Sequence, residues 1–239
     1  MPRTAAAYGR RACAEASRGV AGRHDPSGRR VGALGVDVTS SDSARFGLLG
    51  GTFDPPHAAH LALAEAARFT LELDRVIFVP AGDPWRKASR DVTPAAARLE
   101  MTRALVEGVP WIEVSTVEIE RDGPSYTADT IEVLSRRGGD WWVILGADAL
   151  ADLEHWHDPA RIFAYARVAV AARPGTPIEA SPALRALVPN VLARIDRIRM
   201  QAVDLSSTDV RRRLRAGEAV EDRVPERVRA VIERLGLYR

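Results

Sequence analysis

From Phe46 onward, short apolar runs alternate with stretches of helical period. Phe46 to Leu49, Arg75-Val76-Ile77-Phe78-Val79-Pro80, Trp111-Ile112-Glu113-Val114, Trp142-Val143-Ile144-Leu145-Gly146, Val168 to Ala172 and Ile198 to Val203 are strand-length segments. Most are rich in β-branched or aromatic residues and read as strands buried on both faces. Leu61 to Ala67 reads as a helix, and Thr93-Pro94 opens another whose stripe is Ala95, Arg98, Leu99, Thr102, Leu105 and Val106. After the turn Asp122-Gly123-Pro124, Thr127 or Ser125 is expected to cap a third helix through Ile131, Val133 and Leu134. Strands separated by helices predict an α/β chain with a doubly wound parallel sheet, and ligands of such sheets sit beyond the carboxyl ends of the strands. No internal repeat is visible.

Composition divides the chain in two. Residues 1–45 carry eight Arg against Glu15, Asp25, Asp37 and Asp42, about +4, whereas the whole chain is +2, which leaves the remainder near −2. The leading segment is rich in Ala, Gly, Ser and Arg without an apolar period, so it is expected to be a disordered extension before a domain at 46–239. Its Arg-rich, acid-poor character can mimic a transit peptide, although a start codon assigned too far upstream is the simpler reading. The domain lacks the basic surface of a nucleic-acid binder. Cys13 is the only cysteine, and no apolar run reaches membrane-spanning length, so a cytoplasmic protein with no membrane partner is expected. Arg outnumbers Lys so heavily that Lys87, the one lysine, stands out.

Candidate chemistry concentrates after the first strand, in Gly50-Gly51-Thr52-Phe53-Asp54-Pro55-Pro56-His57-Ala58-Ala59-His60. A glycine turn lets backbone approach an anion, the prolines fix the entry to a helix, and the helix start offers free N–H groups at a positive dipole end. His57 and His60, three apart, project from one face of its first turn. Neither a GxxxxGK[ST] loop nor a GxGxxG opening occurs, which sets aside the common alternatives for phosphate binding. Near the far end, Leu205-Ser206-Ser207-Thr208-Asp209-Val210-Arg211 precedes a basic helix; it reads either as a phosphate site with Arg211 one turn in or as a plain N-cap with a solvated face. His155 and His157 flank Trp156, but their spacing without a carboxylate cluster does not make a metal site.

The eleven-residue segment resembles the GxFDPxHxxH signature of the nucleotidyltransferase superfamily, and Leu205 to Arg211 resembles its ISSTxxR-type motif. Pro80, Pro84-Trp85-Arg86-Lys87, Pro124-Ser125-Tyr126-Thr127, Gly146-Ala147-Asp148, Trp156, Arg173-Pro174-Gly175 and Gly236-Leu237-Tyr238 extend the likeness over residues 46–239. Together they look like the bacterial nicotinate-nucleotide adenylyltransferases. The resemblance implies a Rossmann-like sheet of nucleotidyltransferase type, and transfer of AMP from ATP, with Mg²⁺, to nicotinate mononucleotide. It further implies an ATP site at Gly51, Thr52, Phe53, Asp54, His60, Ser206, Ser207, Thr208 and Arg211, and catalytic charge from His57, His60, Lys87 and Arg211. Nicotinate mononucleotide would meet Arg86, Tyr126, Thr127, Asp148, Trp156 and Arg173, with no metal held by protein side chains. Two departures stand out: Ala59 replaces the family's glycine, and Pro84-Trp85-Arg86-Lys87 stands where the family has Pro-Pro-His-Lys, so its histidine is absent. Another adenylyl- or cytidylyltransferase of the superfamily, or a nucleotide-binding module without catalysis, are the alternatives. Self-association is left open by the sequence.

Overall fold

Six parallel strands in the order β3-β2-β1-β4-β5-β6 form the centre of the computed structural model, which describes residues 43–85, 92–172, 177–200 and 205–239. They are β1 (Arg45–Gly51), β2 (Arg75–Pro80), β3 (Ile112–Val114), β4 (Asp140–Gly146), β5 (Arg167–Ala172) and β6 (Ile195–Arg199). The order reverses between β1 and β4, which pair directly from Arg45 opposite Asp140 to Leu48 opposite Val143, so the switch point of the sheet opens beside the end of β1. Most of the expected extension lies outside the described residues, and its last residue, Arg45, already belongs to β1.

Pleating sends alternate side chains to opposite faces, and both are covered. Leu49, Val76, Phe78 and Ile144 face one core, under α1 (Ala58–Leu71), α2 (Ala95–Val106), α7 (Ser207–Arg215) and α8 (Glu226–Arg234). Leu48, Ile77, Val79, Val143 and Leu145 face the other, under α3 (Thr127–Ser135), α5 (Pro159–Tyr165) and α6 (Pro182–Leu187). The short α4 (Ala147–Ala151) leaves directly from β4.

Three local expectations are corrected. Gly50 and Gly51 are not a turn: they finish β1, paired with Val79 and Pro80, because parallel pairing runs on to the strand's rim. The left-handed residue that turns the chain is Phe53, at φ 51°. The last strand begins at Ile195, earlier than the apolar run suggested, since an edge strand tolerates polar residues; Asp196 there accepts from the Trp142 indole N–H and the Arg167 guanidinium. Expected strand positions 201–203 lie outside the described residues. Finally, neither Ser125 nor Thr127 caps α3: Tyr126 is the N-cap, and the Ser125 hydroxyl accepts instead from the N–H groups of Gly82 and Asp83 at 2.9 and 3.2 Å.

Candidate active site

A cavity of about 510 Å³ opens at the strand ends. Gly50, Gly51, Thr52 and His60 form one wall, while Trp85, Tyr126, Thr127, Trp156 and His157 form the other. Its size suits a nucleotide-sized ligand, and its walls are largely apolar, with few polar groups.

The first wall is built by the turn after β1. Phe53 is buried between the His60 and Phe78 rings, with centroids 4.9 and 5.5 Å away. His57 precedes α1 as its N-cap, and its backbone N–H donates to Nδ1 of His60 at 3.1 Å. An accepting Nδ1 is unprotonated, so His60 carries its proton on Nε2 as a neutral donor. The two imidazoles lie 3.9 Å apart, centroid to centroid. Ala59 is half-buried within the first turn of α1, where alanine suits a helix better than glycine.

His57 departs from the expected charged role. It is only 5% exposed, and burial pulls its pKa from 6.5 to about 4, so it is neutral near pH 7 and can act on an anion only as a hydrogen-bonding dipole. The unfolded chain takes up a proton at this position near pH 6.5, while the native one resists until about pH 4. The stabilisation linked to His57 is therefore complete above pH 6.5 and lost as pH falls toward 4, on the order of 3 kcal/mol over the window. In urea titrations across that range, His57→Asn is expected to show a flatter acid limb than wild type; parallel curves would remove His57 as the cause.

Asp54 also differs from expectation. Its side chain is turned inward, 4% exposed, where Oδ1 accepts from the Tyr238 hydroxyl at 2.5 Å and Oδ2 from the Thr93 N–H at 3.4 Å. A carboxylate there would repel a triphosphate if it faced the cavity, and the fold keeps it behind the turn. Among the other expected nucleotide residues, α7 docks against the same turn. Arg211 Nη1 donates to the Asp54 carbonyl at 2.7 Å, and the Ser207 hydroxyl to the Pro55 carbonyl at 2.9 Å. Ser206 is the helix N-cap, its hydroxyl accepting from the Asp209 N–H at 3.1 Å. Ser206 thus caps the helix, as the plainer reading of this segment expects, and Thr208 is exposed in its first turn.

On the second wall, Trp156 is half-buried, packed against the core beneath β4 while also lining the cavity, and its indole nitrogen is buried without a hydrogen-bond partner. Tyr126 stacks on His157 with ring centroids 4.0 Å apart and meets Trp85 edge-on at 5.5 Å. Asp148 is exposed in the first turn of α4, between the lining residues Gly146 and Ala149. Arg86, Lys87 and Arg173 lie outside the described residues. Among the described residues, no group of three or more His, Cys, Asp or Glu could hold a metal ion, and no helix is long and apolar enough to cross a membrane.

Two buried ionisable groups escaped the sequence. Arg98, 1% exposed, donates from Nε to the Thr93 carbonyl at 2.7 Å, from Nη1 to Thr52 at 2.8 Å and from Nη2 to Gly82 at 3.2 Å. It ties the Thr52 backbone of the first wall to the backbone at Gly82 and Thr93. Glu118 lines the cavity and accepts from the Thr130 hydroxyl at 2.6 Å; burial raises its pKa, against the hydrogen bonds of Thr130 and Ser125. The signal for Arg98 was present: a guanidinium in an otherwise apolar helical stripe must find partners inside. Glu118 lies in an irregular segment with no period to mark it.

Comparison with known proteins adds to this geometry. The family model described as Cytidylyltransferase-like matches residues 48–213. A probable nicotinate-nucleotide adenylyltransferase of Roseiflexus sp. (strain RS-1) is 45% identical over 82% of this chain and 99% of its own length. The protein of the same name from Thermomicrobium roseum is 39% identical over 82% and 92%. Among solved structures, the Plasmodium falciparum nicotinic acid mononucleotide adenylyltransferase complexed with NaAD shares the fold with a TM-score of 0.63 at 15% identity, over 82% of this chain and 97% of that one.

Proposed function

We propose, on the premise that the chain belongs to the cytidylyltransferase-like family and within it to the nicotinate-nucleotide adenylyltransferases, that it transfers AMP from ATP to nicotinate mononucleotide and releases pyrophosphate in NAD biosynthesis. The observation that carries this reading is one cavity bounded by His60 and the end of β1 on one side and by Trp85, Tyr126 and Trp156 on the other. A phosphate-facing turn and an aromatic slot at the sheet's switch point suit two phosphorylated reactants whose phosphates must meet.

The acceptor phosphate is already ionised near pH 7, so no general base is required. Its oxygen attacks the α-phosphorus of ATP, the new P–O bond forms, and the α–β bridging bond breaks with its electron pair leaving on pyrophosphate. What the protein contributes is alignment and compensation of charge. In this reading, the Nε2–H of His60 donates to the α-phosphate region, the neutral His57 adds a dipole, and the start of α7 with Thr208 and Arg211 receives the outer phosphates. Lys87 and Arg86 add positive charge. Trp156 and Tyr126 hold the pyridine ring, and Asp148, accessible at the rim, accepts from a ribose hydroxyl. Mg²⁺ brought with ATP would supply further compensation of phosphate charge, and the reaction belongs in the cytoplasm.

The test is pyrophosphate release from ATP with nicotinate mononucleotide, phosphopantetheine or no acceptor. Release is expected with the pyridine mononucleotide alone; equal release with phosphopantetheine, or without an acceptor, overturns the reading. In the same assay Trp156→Ala should raise KM for the mononucleotide roughly two- to tenfold, the scale of one aromatic stacking contact, and leave KM for ATP in place. An unchanged mononucleotide KM would make Trp156 a packing residue only.

A further inference from the structure

The turn after β1 has one costly feature: Phe53, a bulky residue, sits at φ 51°, in the left-handed region that strains a side chain of its size. Such a residue persists only where its surroundings over-determine it. Three contacts grip backbone carbonyls of the turn: Arg98 at Thr52, Arg211 at Asp54 and Ser207 at Pro55. The Asp54 side chain, next to the strained residue, is held chiefly by Tyr238. That hydroxyl donates at 2.5 Å, whereas the second donor, the Thr93 N–H, stands at 3.4 Å. Tyr238 is itself 9% exposed and packs in the core beneath α8, with its hydroxyl near the Met101 sulfur. Burial and Asp54 both raise its pKa, so the phenol stays a donor throughout the working range.

We propose that Tyr238 is a positioning residue for the nucleotide-donor site: through Asp54 it fixes the turn that carries Phe53 and leads into His57 and His60. Without the phenol donor, the buried carboxylate keeps only the long Thr93 contact and is attracted to its cationic neighbours, Arg98 and Arg211. Turning toward Arg211 would draw the guanidinium and the turn out of register together, on the side where the triphosphate is read. The acceptor wall, built from Trp85, Tyr126 and Trp156, does not contain Asp54 or Tyr238. Loss of the hydroxyl should therefore separate the two substrates kinetically.

This inference rests on the adenylyltransferase reading, and the experiment distinguishes their failures. Tyr238→Phe keeps the ring in the core and removes only the donor. It should raise KM for ATP roughly tenfold, about what one hydrogen bond to a charged group is worth, while KM for nicotinate mononucleotide changes less than twofold. In an Asp54→Asn background the same change should add little, since the pair acts as a unit. Equal changes in both KM values, or none, overturn the proposal. Hydrogen exchange without substrates provides a readout independent of activity: the amides of Thr52, Phe53, Asp54 and His57 should exchange faster in Tyr238→Phe, with the remainder of the sheet unchanged. Wild-type protein inactive with nicotinate mononucleotide would sink the reaction assignment, yet unaltered exchange at the turn would sink the role of Tyr238 whatever the reaction.

Discussion

Replacing His60 with Ala should lower kcat for pyrophosphate release by at least about a hundredfold, the scale of losing a preorganised donor to a developing oxyanion. Three contacts hold the ring: Nδ1 accepts the His57 N–H, the His57 ring lies tilted against it at 3.9 Å, and Phe53 lies at 4.9 Å. Those contacts fix the orientation of the ring before substrate arrives, and in the proposed reading its Nε2–H is the donor to the α-phosphate. Stability should fall by only about 1 kcal/mol, the usual cost of one lost helix-capping contact. His60→Gln separates the two effects. Glutamine at the third helical position can again accept the N–H before the helix, as in a capping box, and should restore stability without the rate. Near-wild-type turnover in either variant would show that His60 has no part in the transfer.

Arg98→Met should cost about 3–5 kcal/mol of unfolding free energy, the penalty for leaving buried partners of a charge uncompensated. Three carbonyls, of Thr52, Gly82 and Thr93, lose their donor together, and Asp54 and Glu118 lose a nearby positive charge. Methionine fills much of the volume, so the loss would report the polar network more than a cavity. Arg98→Lys should fall between, because an ammonium keeps the charge but cannot span three oxygens in the plane of a guanidinium. Urea unfolding measures both, and a loss below 1 kcal/mol for Arg98→Met would mean that water replaces the guanidinium at these carbonyls.

The strands and helices were readable because burial on both faces leaves long marks: β2 matched its apolar run from Arg75 to Pro80, and the other central strands differed only at their ends. The edge strand β6 was misjudged because one side of it faces polar partners, so Asp196 and Arg197 broke the run being sought. At the site, a motif identified which residues matter but not how they face. His57 and Asp54 stand where the pattern placed them, yet burial neutralises the first and turns the second away from the cavity. Those outcomes depend on Tyr238, Arg98 and Arg211, which approach from distant parts of the chain, and no local period encodes such meetings. Gly82 shows the same limit from the opposite side: a Cβ there would lie 2.0 Å from the Glu118 carbonyl, a contact across the fold that spacing alone does not announce.

Asp54 and Tyr238 are 184 residues apart, and Pro55 and Ser207 152. At 5–20 residues per second, roughly 10–40 s of translation separate the making of the turn from the arrival of the phenol that grips it. A nascent chain on the ribosome can lay down β1 and α1 early while its nucleotide-donor site stays unfinished. On the proposed reading, cellular ATP would stabilise the fold by mass action only once synthesis has passed Tyr238, and would gain little hold on partial products.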